Sequence, residues 1–227
     1  MEKRKRIAIY GGTFDPVHSG HLEVARQVSS LFAIDEFLFV PARIAPHKHN
    51  RDVTSGLHRY AMLALATSTD ARLQISTFEL DGPERQYTVD TLSHFRSEFG
   101  NTDLFFVMGA DSWEEITTWR EWQRLVTLAN LIVVTRPGYE VTANHVPAEF
   151  ASGVVDVRSS QNDRATEVAE SGEKRVFITD AVMHDVSATE VRKAAREEDF
   201  ESLVRLVPLE VADYIIKYRL YRNKHED

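Results

Sequence analysis

Residues 7–21 read Ile-Ala-Ile-Tyr-Gly-Gly-Thr-Phe-Asp-Pro-Val-His-Ser-Gly-His, and this stretch contains a strand pattern, a turn and the start of a helix pattern. Four apolar residues stop at two glycines, which predicts a buried strand over residues 7–10. From about Ser19 onward the apolar residues recur with helical spacing, at Leu22, Ala25, Val28, Leu31 and Phe32. The turn between the strand and the helix is therefore the first place to look for a ligand site.

The rest of the chain repeats this alternation of strand and helix. Strands are predicted over residues 37–40, 73–75, 104–108, 131–135 and 175–179, and helices over residues 55–68, 89–99, 187–197 and 208–221. Residues 104–108 and 131–134 are continuous apolar runs, typical of strands buried on both faces. In the helix over residues 55–68, Leu57, Ala61 and Leu65 are expected to face inward. Residues 140–175 are polar and weakly periodic, and no element is predicted there.

This alternation predicts an α/β fold, with a parallel sheet covered by helices on both faces. We expect a single domain over residues 1–227, with a C-terminal helical portion from about residue 187. Ligands bind at the carboxyl ends of the strands in such sheets, where the turn after residue 10 would lie.

Composition excludes several classes of protein. The chain has 227 residues and no cysteine, which rules out a disulfide framework, a thiol nucleophile, an iron–sulfur cluster and any cysteine-containing zinc site. A net charge of −8 makes it a poor binder of polyanions, so no nucleic-acid partner is expected. No apolar run approaches the roughly 18 residues of a spanning helix, and no secretory signal is visible. A cytoplasmic protein without a membrane partner is expected.

The turn has the elements of an anion site, although neither of two common phosphate-loop spellings is present. Gly11 and Gly12 allow backbone N–H groups to approach a phosphate, and the helix that follows points its positive dipole end at the turn. His18 and His21 are three residues apart and share one face at the start of that helix. Two such imidazoles can donate hydrogen bonds to phosphoryl oxygens. A histidine pair with this spacing is, on its own, more often structural.

The string over residues 11–21 resembles the signature of the HxGH nucleotidyltransferase superfamily, and most of all the bacterial nicotinate-nucleotide adenylyltransferases. The resemblance implies a Rossmann-like α/β fold and a role in NAD biosynthesis. It implies that the phosphate of nicotinate mononucleotide attacks the α-phosphorus of ATP directly. Pyrophosphate leaves, nicotinate adenine dinucleotide forms, and no covalent enzyme intermediate is involved. Catalysis of this kind depends on positioning and on stabilisation of charge.

Further strings carry the resemblance to the far end of the chain. Val-Ser-Ala-Thr-Glu-Val-Arg over residues 186–192 is similar to the superfamily's Ile-Ser-Ser-Thr-x-Ile-Arg motif, with Val186, Ala188 and Val191 departing from it. Pro-His-Lys over residues 46–48 is similar to a Pro-Pro-His-Lys string, with Ala45 in place of the first proline. The resemblance implies catalytic roles for His18, His21 and Arg192. It implies ATP contacts by Gly11, Gly12, Thr13, Phe14, Lys48, Gly109, Asp111, Ser187 and Thr189.

The middle of the chain carries the strings that imply the second substrate. These are Tyr-Thr-Val-Asp-Thr-Leu over residues 87–92, Gly-Ala-Asp-Ser-Trp over 109–113, Thr-Trp over 118–119 and Arg-Pro-Gly-Tyr over 136–139. The resemblance implies contacts to nicotinate mononucleotide by Thr88, Trp119, Arg120 and Arg136. Trp119 would stack on the pyridine ring. Arg120 stands where the family often has Tyr, and the family's contact there uses the backbone N–H.

Structural interpretations stay open beside these roles. Ser187 with Glu190, and Asp111 with Glu114, have the spacing of helix capping boxes. Thr88 has the place of an N-cap, Lys48 and Arg136 have the character of solvated loop residues, and Trp119 and Trp122 could both belong to the core, Trp122 more readily.

Two other functions remain alternatives: another adenylyl- or cytidylyltransferase of the superfamily, such as a phosphopantetheine adenylyltransferase, and a nucleotide-binding module without turnover. The presence of both His18 and His21 favours an enzyme. Mg²⁺ is expected with ATP, held mainly by phosphates and water, so no protein ligand for a metal is named. The sequence predicts neither the oligomeric state nor the preference for nicotinate over nicotinamide mononucleotide.

Overall fold

The structure is a computed structural model that describes residues 4–43, 53–83, 86–135, 140–158, 175–180 and 186–222. Seven strands form one sheet, and every described pairing in it is parallel. The strands are β1 (Arg6–Gly12), β2 (Glu36–Pro41), β3 (Leu73–Ile75), β4 (Asp103–Gly109), β5 (Asn130–Val134), β6 (Val154–Asp156) and β7 (Val176–Thr179). The predicted parallel sheet is confirmed.

Helices cover both faces of the sheet, as predicted. They are α1 (Ser19–Leu31), α2 (Gly56–Thr67), α3 (Phe78–Asp81), α4 (Thr88–Phe99), α5 (Ala110–Glu114), a 3₁₀ turn (Ile116–Thr118), α6 (Trp122–Leu128), α7 (Ala148–Ala151), α8 (Ala188–Arg196), α9 (Phe200–Leu206) and α10 (Leu209–Lys217). Because side chains alternate along a strand, Ala8 of β1 lies in one apolar cluster and Ile9 in the other. The first cluster includes α1, α2 and the C-terminal helices α8–α10, and the second includes α4–α6.

The strand order fixes the position of the site. The strand order in the sheet is β3-β2-β1-β4-β5-β7-β6. Strands β2 and β3 lie on one side of β1, and β4 and the later strands lie on its other side. The crevice at the carboxyl ends of β1 and β4 is the topological switch point, where α/β sheets bind ligands. The predicted turn after residue 10 opens into this crevice.

Helix α2 departs from the prediction at its first turn: Leu65 packs against the first apolar cluster and Ala61 is half-buried, but Leu57 is exposed. Leu57 is 83% exposed, whereas Arg59, Met62 and Leu63 are buried. The prediction of an inward Leu57 was wrong because a charged residue occupies the inner face. The Arg59 guanidinium donates hydrogen bonds to three backbone carbonyl oxygens, which stabilises its burial.

Residues 140–158, for which no helix or strand is predicted, contain two short elements. Helix α7 and the edge strand β6 lie within residues 140–158, and they have four and three residues respectively. Elements of this length are too short to show a helical or a strand period. None of the helices in the described ranges has the length and apolar character that a membrane span requires.

Candidate functional site

A cleft of about 460 Å³ opens at the carboxyl ends of β1 and β4, between the N-termini of α1 and α8. It brings together predicted residues from three distant parts of the sequence. Its lining consists of Tyr10, His18, Gly20, His21, Val24, Gly109, Ala110, Asp111, Val134, Thr135, Val186, Ser187 and Ala188. The histidine pair, the end of β4 and the start of α8 therefore face one space.

The two histidines stack on each other at the start of α1. Their ring centroids are 3.7 Å apart, with 28° between the ring planes. The backbone N–H of His18, the residue just before the helix, donates to Nδ1 of His21 at 3.2 Å. An imidazole nitrogen that accepts a hydrogen bond carries no proton, so neutral His21 carries its proton on Nε2. The hydrogen bond therefore prepares His21 as a donor.

His18 is held neutral by its surroundings. The side chain is buried, and its Nδ1 has no hydrogen-bond partner within the described part of the chain. Burial lowers the pKa of His18 to about 4, and the nearby charge of Glu190 opposes this shift. At neutral pH, His18 therefore offers an uncharged ring next to the cleft.

The depressed pKa of His18 predicts how stability depends on pH. The unfolded chain takes up a proton at about pH 6.5 and the native state only near pH 4, so the unfolded state binds more protons in between. The stabilising contribution is present above pH 6.5 and is lost as pH falls toward 4. Because of His18, we expect the free energy of unfolding to be about 2 kcal/mol lower at pH 5 than at pH 7.

Urea unfolding of the wild type and of His18→Gln at both pH values measures this loss. Other groups titrate equally in the two proteins, so the difference between their pH dependences isolates His18. Identical pH dependences would contradict the buried, neutral state of this ring.

Two glycines make the close packing at the histidines possible. A Cβ on Gly12 would lie 2.9 Å from the ring of Phe14, and a Cβ on Gly20 would lie 3.2 Å from Nδ1 of His18. The Gly20 position also approaches the carbonyl oxygen of Val186, at 3.7 Å. A Cβ at 3.7 Å would be an ordinary contact, so glycine at residue 20 makes room for the His18 ring rather than for the segment that leads into α8.

The turn over residues 11–15, named the phosphate loop here after its predicted role, lies beside the cleft. The side chain of Phe14 is buried, and its ring meets the edge of the His21 ring at a centroid distance of 5.0 Å. The structure thus places Phe14 as a support for His21. The described lining of the cleft includes none of Gly11, Gly12, Thr13 and Phe14. Their predicted contacts with ATP stay predictions.

The capping box at the start of α8 is present. Ser187 Oγ accepts a hydrogen bond from the backbone N–H of Glu190 at 3.2 Å, and the Glu190 carboxylate accepts from the Ser187 backbone at 2.8 Å. The Ser187 hydroxyl also donates to this carboxylate. The structural interpretation of Ser187 is confirmed, and the same residue lines the cleft.

Arg192, one turn inside α8, reaches back to the phosphate loop. Its guanidinium donates to the carbonyl oxygen of Asp15 at 2.7 Å and to Thr189 Oγ1 at 3.2 Å. Thr189 is exposed, and its hydroxyl holds Arg192. The two predicted phosphate-binding elements are therefore joined directly.

Asp111 does not cap its helix. Gly109 is the N-cap of α5, so the capping box of Asp111 with Glu114 was a wrong interpretation. Asp111 is instead an exposed carboxylate in the first turn of α5, in the lining of the cleft. Both predicted ATP contacts at the end of β4, Gly109 and Asp111, thus lie at the cleft.

The elements predicted for the mononucleotide lie next to one another. Helix α4 begins at Thr88 with Tyr87 as its N-cap, so the interpretation of Thr88 as the cap was wrong. As the first helical residue, Thr88 has a backbone N–H among those that the helix itself does not use. The guanidinium of Arg120 lies 4.8 Å from the ring centroid of Tyr87, which joins the segment of Trp119 to this helix end.

Trp119 and Trp122 differ in burial. Trp119 is half-buried and meets the edge of Phe106 at a centroid distance of 6.4 Å. Trp122 is buried in the core, as predicted. Lys48 and Arg136, the remaining predicted contacts, lie outside the described residues.

Three residues at the phosphate loop were not predicted to matter. Asp15 is buried, and it accepts a hydrogen bond from the Tyr221 hydroxyl at 2.9 Å, while Arg59 donates to the carbonyl oxygen of Thr13 at 2.7 Å. Asp15 stands inside the quoted motif, and a charged residue within an apolar helix pattern was the signal for Arg59. No pattern marked Tyr221. Within the described ranges, no group of three or more His, Asp or Glu side chains is arranged to hold a metal ion.

The chain is similar to known proteins along its whole length. The model of the cytidylyltransferase-like family matches residues 9–194, which include the histidine pair and Arg192. The chain belongs to this family. It is 34% identical to a protein from Corynebacterium glutamicum named probable nicotinate-nucleotide adenylyltransferase, over 100% of this chain and 93% of the relative. A protein of the same name from Thermoanaerobacter is 35% identical, over 100% and 99% of the two chains.

Solved structures have the same fold. The Plasmodium falciparum nicotinic acid mononucleotide adenylyltransferase complexed with NaAD matches with a TM-score of 0.68 and 24% identity, over 96% of this chain and 97% of that one. The same enzyme complexed with APC matches with a TM-score of 0.67. The predicted fold is confirmed, and the full-length relatives confirm the predicted resemblance to nicotinate-nucleotide adenylyltransferases.

Proposed function

We propose that this protein transfers the adenylyl group of ATP to nicotinate mononucleotide, giving nicotinate adenine dinucleotide and pyrophosphate. The observation that carries the proposal is the stacked histidine pair at the N-terminus of α1, which faces the N-terminus of α8 across the cleft. Two helix N-termini at a topological switch point suit a polyphosphate. Full-length relatives named for this reaction support the choice of substrates.

The reaction needs no group of the protein to form a covalent bond. A phosphate oxygen of the mononucleotide attacks the α-phosphorus of ATP, and the bond to the bridging oxygen of the β-phosphate breaks. Pyrophosphate leaves with the electron pair of that bond. Negative charge moves onto the phosphoryl oxygens during transfer, where preorganised donors are most effective. His21 offers such a donor at Nε2, with its ring fixed by the hydrogen bond at Nδ1.

Arg192 is proposed to bind the tail of the triphosphate. It lies one turn inside α8, and planar guanidinium groups bind phosphates in a bidentate manner. We also propose that Mg²⁺ accompanies ATP, held by phosphate oxygens and water, and neutralises part of the phosphate charge. Asp111 is the one carboxylate in the described lining of the cleft. The protein therefore offers few oxygen ligands there, which fits an Mg²⁺ ion that is held mainly by phosphates and water. The lack of nucleic-acid and membrane partners and the cytoplasmic location stay predictions from the sequence.

The choice of acceptor is tested by pyrophosphate release. The protein is incubated with ATP and Mg²⁺ and, in parallel, with nicotinate mononucleotide, nicotinamide mononucleotide or phosphopantetheine; CTP replaces ATP in a second series. We expect release with ATP and nicotinate mononucleotide. Release with only phosphopantetheine or only CTP would assign another transferase of the superfamily, and ATP binding without release would assign a binding module.

Trp119 tests the mononucleotide half of the site. The pyridinium ring is cationic, and its stacking on an indole adds a cation–π attraction. We expect Trp119→Ala to lower kcat/KM for nicotinate mononucleotide by roughly 5- to 30-fold, with little change in KM for ATP.

The matched control for this substitution is Trp122→Ala. It removes an indole from the core, so it is expected to lower the melting temperature and to affect both substrates alike. A Trp119→Ala protein that melts lower and keeps wild-type affinity for the mononucleotide would contradict the stacking role.

A further inference from the structure

The phosphate loop contains a backbone conformation that its own sequence does not favour. Phe14 has a φ of +49°, in the left-handed region that residues other than glycine seldom adopt. Such a conformation persists where the surrounding structure holds it in place. Here it directs the Phe14 ring into the core and against His21. The groups that hold the residues on either side of Phe14 therefore also determine where His21 lies.

Arg59 of α2 holds the loop on one side of Phe14. Its guanidinium donates to the carbonyl oxygen of Thr13 at 2.7 Å and to that of Thr54 at 2.9 Å. The side chain is only 1% exposed. A cation buried to this degree is stable only when its donors are used, so its geometry is tightly constrained.

Asp15 holds the loop on the other side. Its carboxylate is buried and accepts hydrogen bonds from the Tyr221 hydroxyl at 2.9 Å and from the backbone N–H of Thr54 at 3.3 Å. The carbonyl oxygen of the same residue accepts from Arg192. Asp15 thus connects Tyr221 to Arg192, the residue that is predicted to bind the triphosphate.

Tyr221 belongs to the segment that follows α10, and this segment is itself fixed. The backbone N–H of Leu220 donates to the carbonyl oxygen of Ile215, and Arg222 pairs with Glu198 at 2.8 Å, just after α8. Burial and the adjacent Asp15 charge raise the pKa of Tyr221, so its hydroxyl remains a donor at physiological pH. The end of the described chain therefore closes on the phosphate loop.

We infer that Tyr221 is a positioning residue for the triphosphate half of the site, acting through Asp15 on Arg192 and on the conformation of Phe14. This inference rests on the proposed function. It assigns the C-terminal segment a part in the reaction that no sequence motif marked. Asp15 is the residue through which the segment acts on the loop, while Arg59 holds the loop on the other side of Phe14.

The test removes one oxygen atom, with Tyr221→Phe. The buried Asp15 carboxylate loses a donor, and we expect kcat/KM for ATP to fall by about 10-fold, the scale of one hydrogen bond to a charged group. KM for nicotinate mononucleotide is expected to stay within twofold of wild type, because its predicted contacts Thr88, Trp119 and Arg120 have no described hydrogen bond to the phosphate loop. A general loss of stability would not separate the two substrates.

The matched control is Tyr214→Phe. It also removes a hydroxyl that is hydrogen-bonded, at 2.9 Å to Nδ1 of His58, but Tyr214 lies on α10 with no described bond to the phosphate loop. We expect wild-type kinetics for both substrates. Equal ATP kinetics in Tyr221→Phe and Tyr214→Phe would overturn the inference.

A double-mutant cycle tests the route through Arg192. If Tyr221 acts by positioning Arg192, the Tyr221→Phe substitution should lower kcat/KM for ATP by a smaller factor in the Arg192→Ala protein than in the wild type. Full additivity would overturn this route. If Tyr221→Phe melts at a lower temperature, all kinetics are measured well below its melting transition, so that only folded protein is compared.

Binding of a non-hydrolysable ATP analogue separates this inference from the proposed function. Weaker analogue binding by Tyr221→Phe supports the inference even if the wild type fails to use nicotinate mononucleotide. Unchanged analogue binding and unchanged kcat together overturn it even if the wild type makes the dinucleotide.

Discussion

His21→Ala is expected to lower kcat by about 100-fold or more, the scale for loss of one preorganised donor to a transferring group. The ring is held by the His18 backbone at Nδ1 and by its contact with the Phe14 ring, so the wild type orients its donor before the substrates bind. Alanine removes this donor and also the Nδ1 acceptor of the His18 backbone N–H, so the melting temperature is measured beside the activity. Steady-state formation of the dinucleotide, together with thermal melting, measures the effect.

Two further variants sharpen this prediction. His21→Gln retains an N–H donor on a flexible chain and is expected to lose less activity than alanine. His94→Ala, a matched control on α4, removes an imidazole that stacks on Phe78 outside the cleft, and it should keep wild-type kcat. A folded His21→Ala protein with near wild-type kcat would refute the donor role.

Arg192→Ala is expected to weaken ATP more than the mononucleotide, with kcat/KM for ATP falling by about 10- to 100-fold. This range corresponds to charge-assisted hydrogen bonds of about 1.5–3 kcal/mol. The substitution removes the proposed phosphate ligand and also frees the carbonyl oxygen of Asp15. Two-substrate kinetics measures both KM values in one experiment.

Lys193→Ala is the matched control for Arg192. Lys193 is the next residue along α8, it is exposed, and it lies 4.0 Å from Glu197. We expect wild-type kinetics from it, because surface pairs of this kind contribute little. Equal increases in the two KM values for Arg192→Ala would argue against a specific role at the triphosphate.

The sequence predicted the sheet because its strands are buried on both faces. The continuous apolar runs over residues 104–108 and 131–134 are typical of strands that are buried on both faces. They form β4 and β5 in the structure. Helix α2 shows where this reasoning failed. Its buried face includes Arg59, and a rule that places apolar residues inward selected Leu57 instead. Only the three carbonyl oxygens around Arg59, brought together by the fold, explain the difference.

The site could be predicted as far as its motifs extend. His18 and His21 sit where a strand, two glycines and a helix start predicted an anion site. The hydrogen bonds that hold the loop could not be predicted, because Asp15 and Tyr221 are 206 residues apart in the chain. The inward turn of Phe14 also depends on packing against Tyr10, Phe39 and His21, which no local pattern encodes.

A labelling experiment tests direct adenylyl transfer to nicotinate mononucleotide. The wild-type protein is incubated with Mg²⁺, nicotinate mononucleotide and ATP labelled at the α-phosphorus, and the label is followed into products and protein. We expect the label to appear in nicotinate adenine dinucleotide and the denatured protein to carry none. Label bound covalently to the protein would contradict direct attack. Absence of label from nicotinate adenine dinucleotide would contradict adenylyl transfer.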